Sequence, residues 1–212
     1  MTKETMTVHQ ALCELKVLEK RIDKAIEMTQ PLATKECSSQ KVAQMPVADF
    51  IELAKGQHQT AMDLISRQCA LKAAVNQYNA EKIINVGGKE YSVAQAIWMM
   101  KYGVAKKKQL MERYSKLLNL ANRGMEMENN DRLNARAEAA MNAIYGNREK
   151  AQSEEYLKGI EDYKKAHALE MIDPLGIRNV IQELENDISS FETNVDAAIQ
   201  VANATTEIVV EY

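Results

Sequence analysis

Near the C-terminus an apolar residue recurs at alternating steps of four and three for eight consecutive positions: Ile177, Ile181, Leu184, Ile188, Phe191, Val195, Ala198 and Ala202. That spacing keeps one side of an α-helix apolar over its whole length, which is what a helix–helix packing seam or coiled coil requires. Asp173 offers a capping carboxylate and Pro174 a preset φ for the first turn, so the pattern predicts a helix from there to about Asn203. Such a helix cannot bury its seam alone, and the rest of the chain must provide partners. Composition fits: among 212 residues there are 8 Gly, 3 Pro, 2 Phe and 1 Trp, while the helix formers Ala, Glu, Lys, Leu and Met abound. The expected fold is mainly α, a long-helix bundle of about five helices.

Thr7 and Gln10 form a capping-box pair ahead of the stripe Val8, Leu12, Leu15, Leu18, Ile22, Ile26, which predicts the first helix. The polar stretch TQPLATKECSSQKVAQMP follows, and Pro31 and Pro46 forbid one helix across it. From Val47 to Asn79 the stripe Phe50, Ala54, Ala61, Leu64, Leu71, Val75, Tyr78 runs without proline, a rod of roughly 50 Å at the helical rise. A second capping box, Ser92 with Gln95, starts a helix whose stripe is Val93, Ile97, Met100, Val104, Met111, Tyr114, Leu118, Ala121, Met125, interrupted by Lys107. Asn129-Asn130-Asp131 reads as a break or cap, with weaker helical patterns through Ile144 and from Lys150 to Leu169. The organisation expected is one helical-bundle domain over 1–212 with an irregular, longer insertion around 122–171.

The chain also echoes itself. At a constant offset of 124 residues, AVNQYNAEKIINV (Ala74 to Val86) and AIQVANATTEIVV (Ala198 to Val210) share Ala74/Ala198, Asn79/Asn203, Ala80/Ala204, Ile84/Ile208 and Val86/Val210. Both read as a helix closing at an Asn, a residue tolerant of the left-handed region, followed by a short strand. In the first copy Gly87-Gly88 joins two β-favouring runs as a hairpin turn. The expectation is a three-stranded patch in which Glu207 to Tyr212 pairs with the Lys82 to Tyr91 hairpin and covers its edge.

These elements, VNQYNAEKII, the glycine turn, YSVAQAI and VDAAIQVANATTEI, resemble the septicolysin-like family of small bacterial and phage helical proteins. The likeness covers about Ala74 to Lys101 and Ile177 to Ile208. Two departures are visible: Ala204 stands where the family usually has Trp, and QSE at Gln152 to Glu154 is all that answers its Arg-Ser-Glu stretch. The resemblance implies architecture more than activity.

The net charge of −3 excludes a global pull toward nucleic acid polymers or anionic membranes. The N-terminal MTKETMTVHQ lacks an apolar signal core, and Cys13, Cys37 and Cys69 show no CxxC spacing. A soluble, reduced, cytoplasmic protein, the host cytoplasm if phage-encoded, is expected. GxSxG, P-loop, GxGxxG and HExxH motifs are absent, so no enzyme and no cofactor are expected. His9 and Cys13, four apart, could share a helix face, but two ligands are too few for a metal site.

One charge pattern stands out. Between Val93 and Arg123 lie Lys101, Lys106, Lys107, Lys108, Arg113, Lys116 and Arg123 against the single acid Glu112, so this segment is +6 and the remainder −9. Trp98, Tyr102 and Tyr114 stand among these cations. Aromatic faces beside fixed cations suit a ring attached to phosphates, and a solvated or acid-paired helix face is the plainer alternative. The first function class is therefore a non-enzymatic, homo-oligomeric protein binding a phosphorylated small molecule, for instance a phage anti-defence sponge for a cyclic nucleotide or ADP-ribose derivative. Lys101, Lys106, Lys108 and Arg113 would contact phosphate while Trp98 or Tyr102 stacks, with Arg132, Arg136 and Arg148 as the alternative segment. The second class is a structural or interaction protein, a helical assembly or virion-associated component.

Overall fold

Both capping boxes form. Thr7 Oγ1 accepts the Gln10 N–H at 3.2 Å while Gln10 Oε1 accepts the Thr7 N–H at 2.9 Å, and Ser92 and Gln95 repeat the exchange at 3.1 and 2.9 Å. Each box satisfies two backbone donors that a first helical turn leaves without partners. Helices α1 (Val8–Met28) and α3 (Val93–Trp98) accordingly begin where the sequence places them. The computed structural model describes residues 2–145 and 153–212; it is mainly α-helical with small antiparallel strand pairs. The chain divides into two compact units, Met1–Lys101 with Ser190–Tyr212, and Tyr102–Ser189.

In the first unit, strand β1 (Lys3–Thr7) leads into α1, and a small hairpin, β2 (Lys41–Val42) with β3 (Met45–Pro46), precedes α2 (Val47–Glu81). Strands β4 (Ile83–Val86) and β5 (Lys89–Ser92) then lead into α3, and β6 (Glu207–Glu211) follows α7 (Ile177–Thr205), whose C-terminal half belongs here. Val8, Ala11, Leu15, Leu18 and Ile22 form the buried stripe of α1, which packs along α2 where Leu71, Val75 and Tyr78 are buried. Full burial of a leucine such as Leu18 or Leu71 contributes roughly 2–3 kcal/mol.

Strand pairing departs from the expectation. β6 pairs antiparallel with β1, from Lys3↔Glu211 to Thr7↔Glu207, and the β4–β5 hairpin stays separate, so there is no three-stranded patch among the described residues. The reason lies in the first residues: Lys3–Thr7 already stands at the head of α1, and Lys3 Nζ meets Glu211 Oε1 at 2.7 Å across the ladder. A clip seals this arrangement. Arg67 on α2 bonds Glu4 of β1 (Nη2–Oε2 2.8 Å), Glu14 of α1 and the Tyr212 hydroxyl, and its guanidinium lies 4.7 Å from the centre of the Tyr212 ring.

The echo proves to be structural at every step. α2 and α7 both end two residues beyond the repeated Asn, at Glu81 and Thr205. Lys82 N–H donates to Tyr78 O at 2.9 Å and Thr206 N–H to Ala202 O at 3.0 Å, again 124 apart. The Asn residues themselves are not left-handed, because the only non-glycine positive φ values among the described residues are at Ala43 and Gln44. A second half of the repeat completes the picture: Val93 N–H donates to Lys82 O and Val8 N–H to Thr206 O, each at 3.0 Å. A helix-to-strand segment is thus paired with a strand-to-helix segment twice over, α2–β4 with β5–α3 and α7–β6 with β1–α1.

A π-helical segment, Met99–Gly103, follows α3. The second unit contains α4 (Val104–Glu126), a π-helical segment Met127–Arg132, α5 (Leu133–Tyr145), α6 (Glu154–His167) and the N-terminal half of α7. Asn129-Asn130-Asp131 therefore does not end a helix; the Asn129 amide instead bonds both backbone groups of Leu169, at 2.9 and 2.8 Å. α5 packs on α6 through Leu133, Ala137, Met141 and Tyr156. Gly159 allows the approach, since a Cβ there would stand 2.6 Å from Met141 Sδ. Ahead of α7 the Asp173 carboxylate accepts the Ile177 N–H at 2.8 Å, so this helix starts three residues later than Pro174 suggests. Lys150, proposed as the start of α6, Arg148 and Gln152 lie outside the described residues.

Candidate functional site

The α1–α2 seam opens where both helices turn to small side chains, Ala25 on α1 and Gly56 and Thr60 on α2. A Cβ at Gly56 would meet nothing within 4 Å. The resulting cleft has a volume of about 680 Å³, and its apolar walls come from Met28, Leu53 and Leu64. Arg21 and Lys24, one turn apart on α1, bring two cations to it, and no acidic residue lines it. Its remaining polar groups are mostly engaged: Gln57 Oε1 accepts the Gln30 N–H at 3.0 Å, and Thr60 Oγ1 donates to Gly56 O at 2.8 Å. An apolar hollow with two cations and no acid in its lining suits an anion attached to an apolar or ring-shaped body. A second cleft of about 610 Å³, between the Gly87-Gly88 turn and the C-terminal half of α7, offers mainly Ala197, Ala198 and Ala202 with a single cation, Lys82.

None of the six residues expected to bind ligand lines either cleft. Trp98 is exposed at the end of α3, and Lys101 is exposed in the π-helical segment after it; both belong to the first unit. Tyr102, Lys106, Lys108 and Arg113 are exposed in the second unit. Lys106 and Arg113 are seven apart and share a face of α4, whereas Lys108 lies about 200° around the helix from Lys106 at about 100° per residue. The two lysines expected to grip one phosphate thus point to opposite sides. Lys106 Nζ bonds Gln109 Oε1 at 3.1 Å, and Lys107, the interruption in the apolar stripe, pairs with Asp187 of α7 at 3.4 Å. Arg132 and Arg136 both pair with Glu128.

Sequence reasoning missed the cleft because its signal is a lack of bulk. Gly56 inside a long helix was the available clue, since an interior glycine costs about 1 kcal/mol against alanine and asks for a reason. His9 Nε2 and Cys13 Sγ do face each other, at 3.7 Å, and among the described residues no group of three or more His, Cys, Asp or Glu is placed to hold a metal ion. Among the same residues no helix is long and apolar enough to cross a membrane. No family model, curated protein or solved structure matches this chain.

Proposed function

We propose that the chain is a non-enzymatic small-molecule-binding protein whose α1–α2 cleft takes a phosphorylated compound. The observation that carries this reading is the pairing of Arg21 and Lys24 with an apolar hollow free of acids. The cations neutralise a phosphate, and the Met28, Leu53 and Leu64 walls cover the organic part. A nucleotide-derived signal, cyclic nucleotide or ADP-ribose derivative, is the ligand class to test first, and sequestration of such a signal is the corresponding role. The test is native mass spectrometry and calorimetry against a panel of these compounds. Wild type binds a panel member; Arg21→Glu with Lys24→Glu weakens it by about tenfold or more, with unchanged melting because both side chains are exposed. Unaltered affinity in the double variant, or no binding by wild type, sinks the reading.

A second reading, a homo-oligomer or assembly component, is favoured by the N-terminal half of α2. Over that half only Phe50 and Ala61 are buried, while Ile51, Leu53 and Met62 are exposed. In this reading a second copy covers the α1–α2 surface. Sedimentation equilibrium separates the two: a single 23.9 kDa species at micromolar concentration removes the homo-oligomer and leaves the ligand reading standing.

A further inference from the structure

We propose that the outer face of α4 is a docking surface for an acidic amphipathic helix of another protein. Along this face Lys106, Leu110, Arg113, Leu117, Leu120 and Gly124, with Met127 at the head of the π-helical segment that continues α4, follow one another at alternating steps of four and three. That is the spacing of a helix-pairing seam, yet Leu110, Leu117, Leu120 and Met127 are 43%, 44%, 55% and 55% exposed. Gly124 has open space where a Cβ would stand, leaving room for close approach. Of the 23 residues of α4 only Val104 is buried. Its other stripe, Lys107, Met111, Tyr114 and Leu118, is half-covered, and Lys107 is held by Asp187. The helix therefore has two seams, one partly used and one open.

Charge selects the occupant. Lys106 and Arg113 sit within the open seam and Lys116 and Arg123 along its flank, while the acids of α4, Glu112 and Glu126, fall outside it. Arg113, Lys116 and Arg123 make no ion pair among the described residues. A parallel second copy would set Lys106, Arg113, Lys116 and Arg123 each against its own counterpart, and an antiparallel copy centred between Arg113 and Leu117 would set Lys116 against Lys116 on the flank. A lipid surface needs a broad apolar face, whereas here the apolar row is one residue wide, headed by Lys106 and interrupted by Arg113. A helix with leucine-class residues at the same spacing and Glu or Asp beside them fills the gaps between the α4 side chains and matches all four charges.

The experiment is fluorescence anisotropy of the full chain with labelled synthetic helices about four heptads long. One peptide carries Leu at the seam and Glu on the flanks, a second carries Leu and Lys, and a third keeps the Glu but replaces the Leu with Ser. The acidic leucine peptide binds, weakens with added salt, and loses about tenfold or more in affinity with Leu117→Asp and, separately, with Arg113→Glu. Circular dichroism reports that both variants keep their helix content. The proposal is overturned if the acidic leucine peptide fails to bind, or if the leucine-free peptide binds as well. It is equally overturned if Leu117→Asp dissolves a self-associated species, which assigns the seam to a second copy. Binding to phosphatidylserine vesicles with none to the peptide assigns it to lipid and also refutes the proposal.

Discussion

The hairpin between β4 and β5 allows a quantitative test of how the first unit is held together. Gly87 and Gly88 occupy its two central turn positions with φ of +59° and +85°, the left-handed values that a two-residue turn matching strand twist demands. An alanine at either position takes on the left-handed backbone cost, about 1–2 kcal/mol. Their surroundings differ. A Cβ on Gly88 would meet nothing within 4 Å, but on Gly87 it would overlap Ser190 Oγ of α7 and stand 3.3 Å from both Ser190 Cβ and Ser190 O. Gly87→Ala should therefore cost a further increment, about 1–3 kcal/mol for forcing bulk into a packed contact. At about 2–4 °C per kcal/mol for a chain of this size, the two alanine variants separate clearly in melting temperature. Trp98, the single tryptophan and a member of the first unit, reports the transition by fluorescence. Ser190→Ala removes the oxygen that the new methyl strikes, so in a double-mutant cycle it should restore most of the increment while leaving the cost of Gly88→Ala untouched. Equal losses for the two glycine variants, or a cycle with no coupling between positions 87 and 190, would refute the reasoning.

Glu4 is held below the usual carboxylate range by hydrogen bonds from Arg67 first and from the Tyr212 hydroxyl second. A depressed carboxylate stabilises the fold above its unfolded value of about 4.3 and loses that contribution as pH falls through the lower folded value. Glu4→Gln should accordingly flatten the acid side of a denaturation profile, and an unchanged acid limb would remove Glu4 from the account. Ala43 and Gln44 take φ of +48° and +67° without being glycine, so replacing them with Asn-Gly should stabilise the chain by about 1 kcal/mol in urea titration. Leu71→Ala empties a fully buried site opposite α1 and should cost about 3 kcal/mol or more; a loss under about 1 kcal/mol would mean that the α1–α2 core is not packed as described.

Helices were legible because their signals are local. Thr7–Gln10 and Ser92–Gln95 each mark a start within four residues, and the seam of α7 leaves all eight of its positions buried or half-buried. The strand partner was not legible. Lys3–Thr7 has no aliphatic alternation, and its pairing with β6 depends on where α1 and α7 deliver the two segments. The ladder hydrogen bonds are backbone bonds, and every residue type but proline can make them. The direction of the expected cations was not legible for a related reason: a count of cations carries no angle. Lys106 and Lys108 add equally to the charge of the segment, but the helix turns them to opposite sides. Arg21 and Lys24 stand among Glu19, Asp23 and Glu27 on α1, so no charge run announced them. Only the gap left by Ala25 and Gly56 makes them a pair facing a hollow.

The pairing of β1 with β6 also sets an order of events during synthesis. Strands separated by roughly 200 residues close last, because loop entropy must be overcome before their contacts form. On the ribosome, α1 and α2 emerge and can collapse on Leu18 and Leu71 while Lys3–Thr7 waits with an open backbone edge. The whole of Tyr102–Ser189 is made before Ser190 appears, so the second unit has its full sequence while the first still lacks its closing helix turns and strand. For that interval the nascent chain depends on Thr5 and Lys3, polar residues on a short strand, to keep its unpaired edge from joining a neighbour's.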